Sequence, residues 1–190
     1  MLLLVGLGNP GSNYTNTRHN IGFKIIDAIN AHFKLSKQKP KFKGLLTTGS
    51  IDEKKIYAIK PLTFMNNSGT AIKELIDYFK IDAKNVFVFH DDMDIDFGKI
   101  KAKFGGSSAG HNGIESIDKF IGKDYSRVRI GIGHPKRKKK VNNHVLEDFK
   151  EDEEEKINDI TDNIVKQLPT LIEKKIDLFS SKVNQDLNGI

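Results

Sequence analysis

The sequence predicts an α/β fold, a single-domain three-layer sandwich in which helices flank a twisted mixed β-sheet. Two observations predict it. Short apolar runs suited to buried strands alternate along the chain with stretches whose apolar residues recur at helical spacing. The chain has 190 residues, of which 37% are hydrophobic and 29% charged, as expected for one globular domain spanning 1–190.

The first half of the chain begins with a strand. Residues 2–7 form an unbroken apolar run that Gly8 and Pro10 end, as expected for a strand buried on both faces. The run is too short for a signal peptide or a membrane span. After a polar loop, apolar residues repeat at helical spacing over about 20–33. Residues 45–51 and 55–60 then predict a hairpin.

Strands and helices continue to alternate through the second half. The predicted elements are a helix at 68–79 capped by Ser68, strands at 86–89, 100–104 and 127–132, and a helix at about 111–121. The chain then predicts one or two acidic amphipathic helices at about 147–185, with Pro169 marking a break or a new first turn.

Charge is unevenly distributed along the chain, whose formal net charge is +6. Twelve Lys and Arg lie between Lys99 and Lys140 against three acids, whereas residues 147–163 hold nine acids. A concentrated basic stretch is the electrostatic footprint of nucleic-acid binding. The basic loop at 136–140 either contacts phosphates or is simply solvated. The sequence has no cysteine, which excludes a cysteine nucleophile and a thiolate zinc site and fits a cytoplasmic protein.

The glycine-rich segment 6–11 fits the G-x-G-x-x-G fingerprint of dinucleotide-binding enzymes. In that fingerprint a helix opens at the glycines and aims its amides at the pyrophosphate. Here a polar, aperiodic stretch follows, so we expect these glycines only to turn the chain. The sequence contains no G-x-S-x-G, P-loop or H-E-x-x-H motif, which leaves the serine hydrolase, P-loop NTPase and zincin interpretations unsupported.

Several polar residues near predicted element ends are candidates for chemistry. His19 precedes the first helix, where a histidine acts as a base, a cap or a surface residue. Residues 90–96 carry histidine and carboxylates suited to a metal, but their spacing does not fit a calcium loop. We expect most of these acids in turns and caps, while one at a strand end can orient a histidine. Asn66 and Asn112 stand near helix starts, as caps or as carboxamides that grip a peptide backbone.

Taken together, these clusters resemble the bacterial-type peptidyl-tRNA hydrolase family in order and approximate spacing, from residue 2 to about 135. The motifs that carry the resemblance are Val5 to Gly11, Tyr14 with Thr17 to Asn20, Lys60-Pro61 with Thr63 to Asn66 and Ser68-Gly69, His90 to Asp92 with Asp94, Gly105-Gly106 with Gly110 to Gly113, and Arg127 to Pro135. The sequence departs from the family pattern at Ser107-Ser108-Ala109, where other members carry more glycine or a histidine. The tail from Val145 resembles the family only loosely, as an acidic helix over the substrate channel.

The resemblance implies hydrolysis, without metal or cofactor, of the ester that joins a peptide to the 3′ end of transfer RNA. On this basis His19 is the base that activates water and Asp91 holds and polarises its imidazole, a two-member version of triad chemistry. Asn9 borders His19 and the water. The enzyme is expected to be a cytoplasmic monomer whose partner is peptidyl-tRNA.

The remaining site residues follow from the same resemblance. Asn66 and Asn112 hold the peptide main chain and the reacting carbonyl, Tyr14 and Met65 line the site, and His111 has a secondary or structural role. Lys103 and Arg129 match positions that contact transfer RNA, and both fall within the basic stretch. Two rival hypotheses are a catalytically silent RNA-binding protein on the same scaffold and a nucleotide-dependent oxidoreductase.

Overall fold

The computed structural model describes residues 1–135 and 141–187, with only the backbone described at 141 and 142, so the basic loop at 136–140 lies outside the described residues. The strands are β1 (Leu2–Gly6), β2 (Lys39–Lys41), β3 (Gly44–Ile51), β4 (Lys54–Pro61), β5 (Val86–Asp92), β6 (Ile100–Phe104) and β7 (Ser126–Gly131). The helices are α1 (Ile21–His32), α2 (Ser68–Phe79), α3 (Asn112–Ile121), α4 (Val141–His144), α5 (Glu151–Ile172) and α6 (Ile176–Leu187).

One seven-stranded mixed sheet forms the centre of the molecule, in the order β2-β3-β4-β1-β5-β7-β6. The central pairs β1–β4, β1–β5 and β5–β7 are parallel, and the pairs toward each edge are antiparallel. Because parallel strands end at the same edge of a sheet, the loops after β1, β5 and β7 lie side by side. The predicted mixed α/β sheet is confirmed.

Strand alternation divides the core into two layers, one on each face of the sheet. Leu2 and Leu4 pack with the apolar faces of α1, α5 and α6, while Leu3 and Val5 pack with those of α2 and α3. The central strands therefore present apolar side chains to both faces, which is why residues 2–7 read as an unbroken apolar run.

The glycines that resemble a dinucleotide fingerprint allow α1 to pack closely on β1. A Cβ atom at Gly6 would collide with the carbonyl oxygen of Gly22 in α1, and one at Gly8 would contact the ring of Phe23. Two 3₁₀ turns, Ser12–Tyr14 and Arg18–Asn20, separate these glycines from α1. No helix opens at the glycines to receive a pyrophosphate, as the aperiodic sequence predicts.

Two helix predictions are wrong in detail. Asn67 rather than Ser68 occupies the N-cap of α2, and the Ser68 hydroxyl donates to the Met65 carbonyl at 2.9 Å, because a 3₁₀ turn at Met65–Asn67 leads into the helix. Pro169 lies inside α5 and does not break it. Leu168 and Leu171 on either side of Pro169 are fully buried, so tertiary packing offsets the hydrogen bond that proline removes.

The last helix covers the free edge of β6 with side-chain hydrogen bonds. The Asn184 carboxamide accepts the backbone N–H of Ile100 at 2.9 Å and donates to the Ile100 carbonyl at 2.8 Å, while the Ser180 hydroxyl accepts the N–H of Ala102 at 2.8 Å. These groups occupy positions that a neighbouring strand would otherwise fill. Over residues 1–135 and 141–187, no helix has both the length and the apolar character that a membrane span needs.

Candidate active site

The candidate site lies where β1 and β5 end beside the start of α1. Strand β5 is longer than predicted and includes His90, Asp91 and Asp92, which sequence analysis placed after the strand. The extra length arises because this end of β5 pairs with β7 as far as Gly131. Alternation along β5 turns Asp91 toward the face that holds Phe87 and Phe89, on which α1 packs. The 3₁₀ turn before α1 brings His19 to this carboxylate.

One oxygen of Asp91 receives two imidazoles. The Nδ1 atom of His19 lies 2.8 Å from Asp91 Oδ1, and the Nε2 atom of His111 lies 3.0 Å from the same oxygen. An ionised carboxylate only accepts hydrogen bonds, so both of these ring nitrogens carry the proton. The two rings lie 4.9 Å apart between their centroids.

The second nitrogen of each imidazole has a different environment. The Nδ1 atom of His111 accepts the backbone N–H groups of Gly113 and Ile114 at the start of α3, at 3.1 and 3.3 Å, so its lone pair is committed. His90 donates from Nδ1 to the Asp91 carbonyl at 2.7 Å, and its Nε2 atom is buried without a described partner.

His19 differs from both of these histidines. Its Nε2 atom makes no hydrogen bond to a described residue, and the side chain lines a pocket. Of the three imidazoles around Asp91, His19 therefore has the lone pair available to a substrate or a water.

Electrostatics keep Asp91 charged and His19 basic. Burial alone would raise the pKa of the Asp91 carboxyl, but the His19 and His111 imidazoles lower that pKa well below its ordinary value. Burial alone would lower the pKa of His19, but the adjacent Asp91 carboxylate raises that pKa above its ordinary 6.5. Burial, with the nearby His111, lowers the pKa of His90 well below the ordinary value, so His90 stays neutral.

Asn9 is fixed in orientation by two separate contacts. The Asn20 carboxamide accepts the Asn9 backbone N–H at 2.8 Å and donates to the Asn9 carbonyl at 3.0 Å. The Asn9 side-chain oxygen accepts the backbone N–H of Met65 at 2.9 Å. The amide NH₂ of Asn9 makes no hydrogen bond to a described residue, so this carboxamide offers a donor rather than an acceptor.

The pocket over His19 has a volume of about 90 Å³. Asp91, Asn112 and Val145 line it together with His19, and its remaining described lining is Asp92, Met93, Asp94, Ser108, Ala109, Gly110 and His111. The Asn112 carboxamide is exposed and makes no hydrogen bond to a described residue.

Four of the predicted catalytic and peptide-binding residues fall outside the described lining of this pocket. Asn9 lines a neighbouring, larger cavity. Met65 is buried, and its backbone N–H donates to the Asn9 side chain. Asn66 is exposed. Tyr14 lies in the 3₁₀ turn Ser12–Tyr14, before the turn that carries His19.

A second, larger cavity of about 450 Å³ opens beside Asn9. Its two cations are already paired, Lys24 with Glu154 and Lys60 with Asp27. The described lining of this cavity contains no histidine. This cavity is larger than the pocket over His19, but its described lining lacks the paired histidine and carboxylate that the smaller pocket contains.

The residues His19, Asp91 and His111 are spaced closely enough to suggest a cation site, since one ligand atom from each lies within 4.8 Å of the others. The hydrogen-bond pattern does not fit that chemistry. The nitrogens of His19 and His111 that face Asp91 are both engaged with one carboxylate oxygen, at 2.8 and 3.0 Å, so a cation bound through them would have to displace both hydrogen bonds. Asp92, also considered as a metal ligand, accepts the Asp94 N–H in a turn and pairs with Arg129 at 2.7 Å.

A group of cations lies on one face of the β6–β7 pair. Lys103 is paired in register with Arg127, and Lys101 with Arg129. Burial, with Arg129 and Arg127 nearby, lowers the pKa of Lys103, which indicates a locally positive field. Arg127 is buried and bonds to Asp118 and to the Ser107 carbonyl, which leaves Lys103 and Arg129 as the more accessible predicted members.

Sequence analysis missed the roles of Asn20, Val145 and His90. Asn20 belonged to a recognised motif beside His19. Its position there was the one signal that its side chain could hold a neighbouring backbone segment, as it does at Asn9. His90 also belonged to a recognised motif, where it was considered only as a metal ligand. Val145 gave no comparable signal, because its place at the pocket depends on chain segments that are distant in sequence.

Comparisons with known proteins indicate the family to which the chain belongs. The family model described as peptidyl-tRNA hydrolase matches residues 3–189, which includes the C-terminal helices that the sequence motifs linked only loosely to the family. A peptidyl-tRNA hydrolase of Pelagibacter ubique (strain HTCC1062) is 71% identical over 184 residues, which cover 97% of this chain and 99% of that protein. One from Ehrlichia ruminantium (strain Welgevonden) is 48% identical over 181 residues, covering 95% of this chain and 93% of that protein.

Solved structures give the same result. The crystal structure of peptidyl-tRNA hydrolase from Acinetobacter baumannii at 1.00 Å resolution matches with a TM-score of 0.90 and 34% sequence identity, covering 97% of this chain and 94% of that one. Identity over nearly the full length of both chains, together with the matching fold, leads to one conclusion. The chain belongs to the peptidyl-tRNA hydrolase family.

Proposed function

We propose that this chain hydrolyses the ester between the peptide, or an N-blocked aminoacyl group, and the 3′ end of transfer RNA, with His19 as the general base. The observation that carries the assignment is the free Nε2 lone pair of His19 at the pocket, while the Nδ1 lone pair of His111 is committed to α3 and the Nε2 atom of His90 is buried. A positioned base of this kind contributes about 10²- to 10⁴-fold to a rate.

The reaction begins when His19 Nε2 takes a proton from a water molecule as the water oxygen attacks the ester carbonyl. The resulting imidazolium is stabilised by the Asp91 carboxylate, whose Oδ1 atom accepts a hydrogen bond from His19 Nδ1 at 2.8 Å. Collapse of the tetrahedral intermediate breaks the bond to the ribose oxygen. His19 returns its proton to that oxygen, so the products are a peptide with a free carboxyl group and transfer RNA with a free 3′-terminal hydroxyl.

Carboxamides supply the electrostatic part of the mechanism. Asn9 is assigned to border His19 and the attacking water, with its NH₂ group in a fixed orientation because its side-chain oxygen accepts the Met65 N–H. A donor aimed at the developing oxyanion stabilises the transition state by about 3–4 kcal/mol in comparable sites. Asn112 in the pocket and Asn66 nearby are assigned to the peptide main chain and the reacting carbonyl, so they are the proposed source of that donor. Contacts to main-chain atoms make hydrolysis indifferent to the peptide side chains.

The transfer RNA is assigned to the cationic face of β6–β7, with Lys103 and Arg129 as phosphate contacts. Charge concentration on one face favours this assignment, since phosphate contacts dominate nucleic-acid affinity. The enzyme is proposed to act as a monomer in the cytoplasm, where peptidyl-tRNA is made. Sedimentation with and without transfer RNA tests the monomer.

The experiment that tests the proposal measures release of free transfer RNA from an N-acetylated aminoacyl-tRNA, with and without EDTA. We expect EDTA-resistant release by the wild type, a large loss in His19→Ala and no loss in His32→Ala, which changes an exposed histidine at the end of α1. Full activity in His19→Ala would exclude this residue as the base. A wild type that binds the substrate but releases nothing would favour a silent RNA-binding protein.

A further inference from the structure

The turn that carries His19 is bonded to a segment more than a hundred residues away in sequence. We call residues 145–149 the strap. The backbone N–H of His19 donates to the Val145 carbonyl at 2.8 Å, and that of Arg18 donates to the Glu147 carbonyl at 3.0 Å. Val145 also lines the pocket over His19. The strap therefore fixes the position of the turn that carries His19, and it forms one side of the pocket.

The side chain of Arg18 ties the same turn to the start of α5. Its Nη2 atom lies 2.7 Å from Glu153 Oε2, and its guanidinium lies 4.9 Å from the centre of the Phe149 ring at the end of the strap. The same Glu153 oxygen accepts the backbone N–H of Lys150 at 2.9 Å, just before α5 begins. One carboxylate thus connects Arg18, the end of the strap and the first turn of α5.

Stability of the fold alone does not account for a buried arginine at position 18. The Arg18 side chain is 4% exposed, and its Nε and Nη1 atoms are buried without a described acceptor. Buried donors that lack partners are unfavourable, and apolar replacement of buried ion pairs is often neutral or stabilising. Glu153 is 21% exposed, so water can solvate it if Arg18 is removed. A role in placing His19 accounts for a charged side chain at this position where stability does not.

We infer that Arg18 is a positioning residue that, through Glu153 and Phe149, holds the His19 turn against the strap in the geometry that hydrolysis requires. The inference rests on the proposed function of His19. Arg18 does not line the pocket over His19. Its loss is therefore expected to affect the chemical step more than substrate binding.

The test compares kcat and KM for N-acetylated aminoacyl-tRNA in the wild type, Arg18→Met and Arg18→Lys, with thermal unfolding of each protein. For Arg18→Met we expect a near-native melting temperature and a kcat lower by roughly 10- to 100-fold, since a displacement of about 1 Å can cost ~10²-fold. KM should change by less than about threefold, because Arg18 does not line the pocket over His19. Arg18→Lys, which keeps a donor to Glu153, should recover much of the lost kcat.

The matched control is Lys24→Met. It removes the neighbouring ion pair to α5, Lys24 with Glu154 at 3.2 Å, without touching the turn that holds His19. We expect wild-type kinetics. If Arg18→Met fails to fold, Glu153→Gln replaces it and should show a smaller loss of kcat at constant KM.

Three outcomes would overturn the inference. They are an unchanged kcat per folded molecule in Arg18→Met or its substitute, losses of equal size in Lys24→Met, and no recovery in Arg18→Lys. An inactive wild type would instead overturn the proposed function, and this inference with it.

Discussion

Replacing Asp91 with asparagine tests the charge of the carboxylate separately from its shape. The wild-type Oδ1 atom accepts hydrogen bonds from His19 Nδ1 and His111 Nε2 at 2.8 and 3.0 Å. Two N–H donors facing one position will select the amide oxygen there, because the amide nitrogen has no lone pair to offer. We therefore expect Asp91→Asn to keep both histidine tautomers and the site geometry while removing the negative charge.

The expected loss follows from that one change. Hydrogen bonds to charged groups contribute about 1.5–3 kcal/mol, which corresponds to roughly 10- to 150-fold in rate when the charge stabilises the His19 imidazolium of the transition state. The pH dependence changes as well. The Asp91 carboxylate raises the pKa of His19 against the effect of burial, so the variant's His19 titrates at a lower pH. The acidic limb of the pH–rate profile should move to lower pH while the plateau falls.

The assay is initial-rate release of transfer RNA from N-acetylated aminoacyl-tRNA across the acidic and neutral pH range. Asp92→Asn is the matched control, since it alters the next residue on β5, which pairs with Arg129 rather than with a histidine. We expect that control to affect substrate binding more than the plateau rate. A loss in Asp91→Asn below about threefold, or an acidic limb that moves to higher pH, would refute the assigned role of the carboxylate.

Three further predictions follow from other parts of the structure. Lys103→Ala with Arg129→Ala should weaken binding and reduce the salt slope of log K by about one to two, since each lost phosphate contact removes roughly 0.9; an unchanged slope would place the RNA surface elsewhere. His111→Ala should lower kcat by about tenfold by removing a donor to Asp91, and wild-type kcat would contradict this role. Asn184→Leu should lower the free energy of unfolding by about 1–3 kcal/mol in urea titrations by leaving the β6 edge unpaired, with kcat per folded molecule unchanged.

The sequence by itself determined the sheet-and-helix alternation and the main candidate residues. Apolar runs such as 2–7 and the helical spacing after Asn20 show which side chains are buried, and this spacing can be read directly from the sequence. The motifs that contain His19, Asp91 and Asn112 were found for the same reason, since each is a short contiguous segment. Element boundaries were less certain where tertiary contacts decide them. Packing carries α5 through Pro169, and pairing with β7 extends β5 through Asp92.

The family resemblance singled out His19 as the proposed base, and the tertiary structure supplies the physical reason for preferring it to the other two histidines. His19, His90 and His111 are equivalent as residue types, and nothing in their sequence neighbourhoods states which nitrogen is free. The start of α3 occupies one nitrogen of His111, burial encloses one of His90, and the pocket leaves that of His19 open. The contacts between Arg18 and Glu153, and between His19 and Val145, could not be predicted from the sequence either, because they join residues far apart in the chain. Local pattern encodes burial and propensity, whereas protonation and positioning depend on groups that only folding brings within hydrogen-bonding distance.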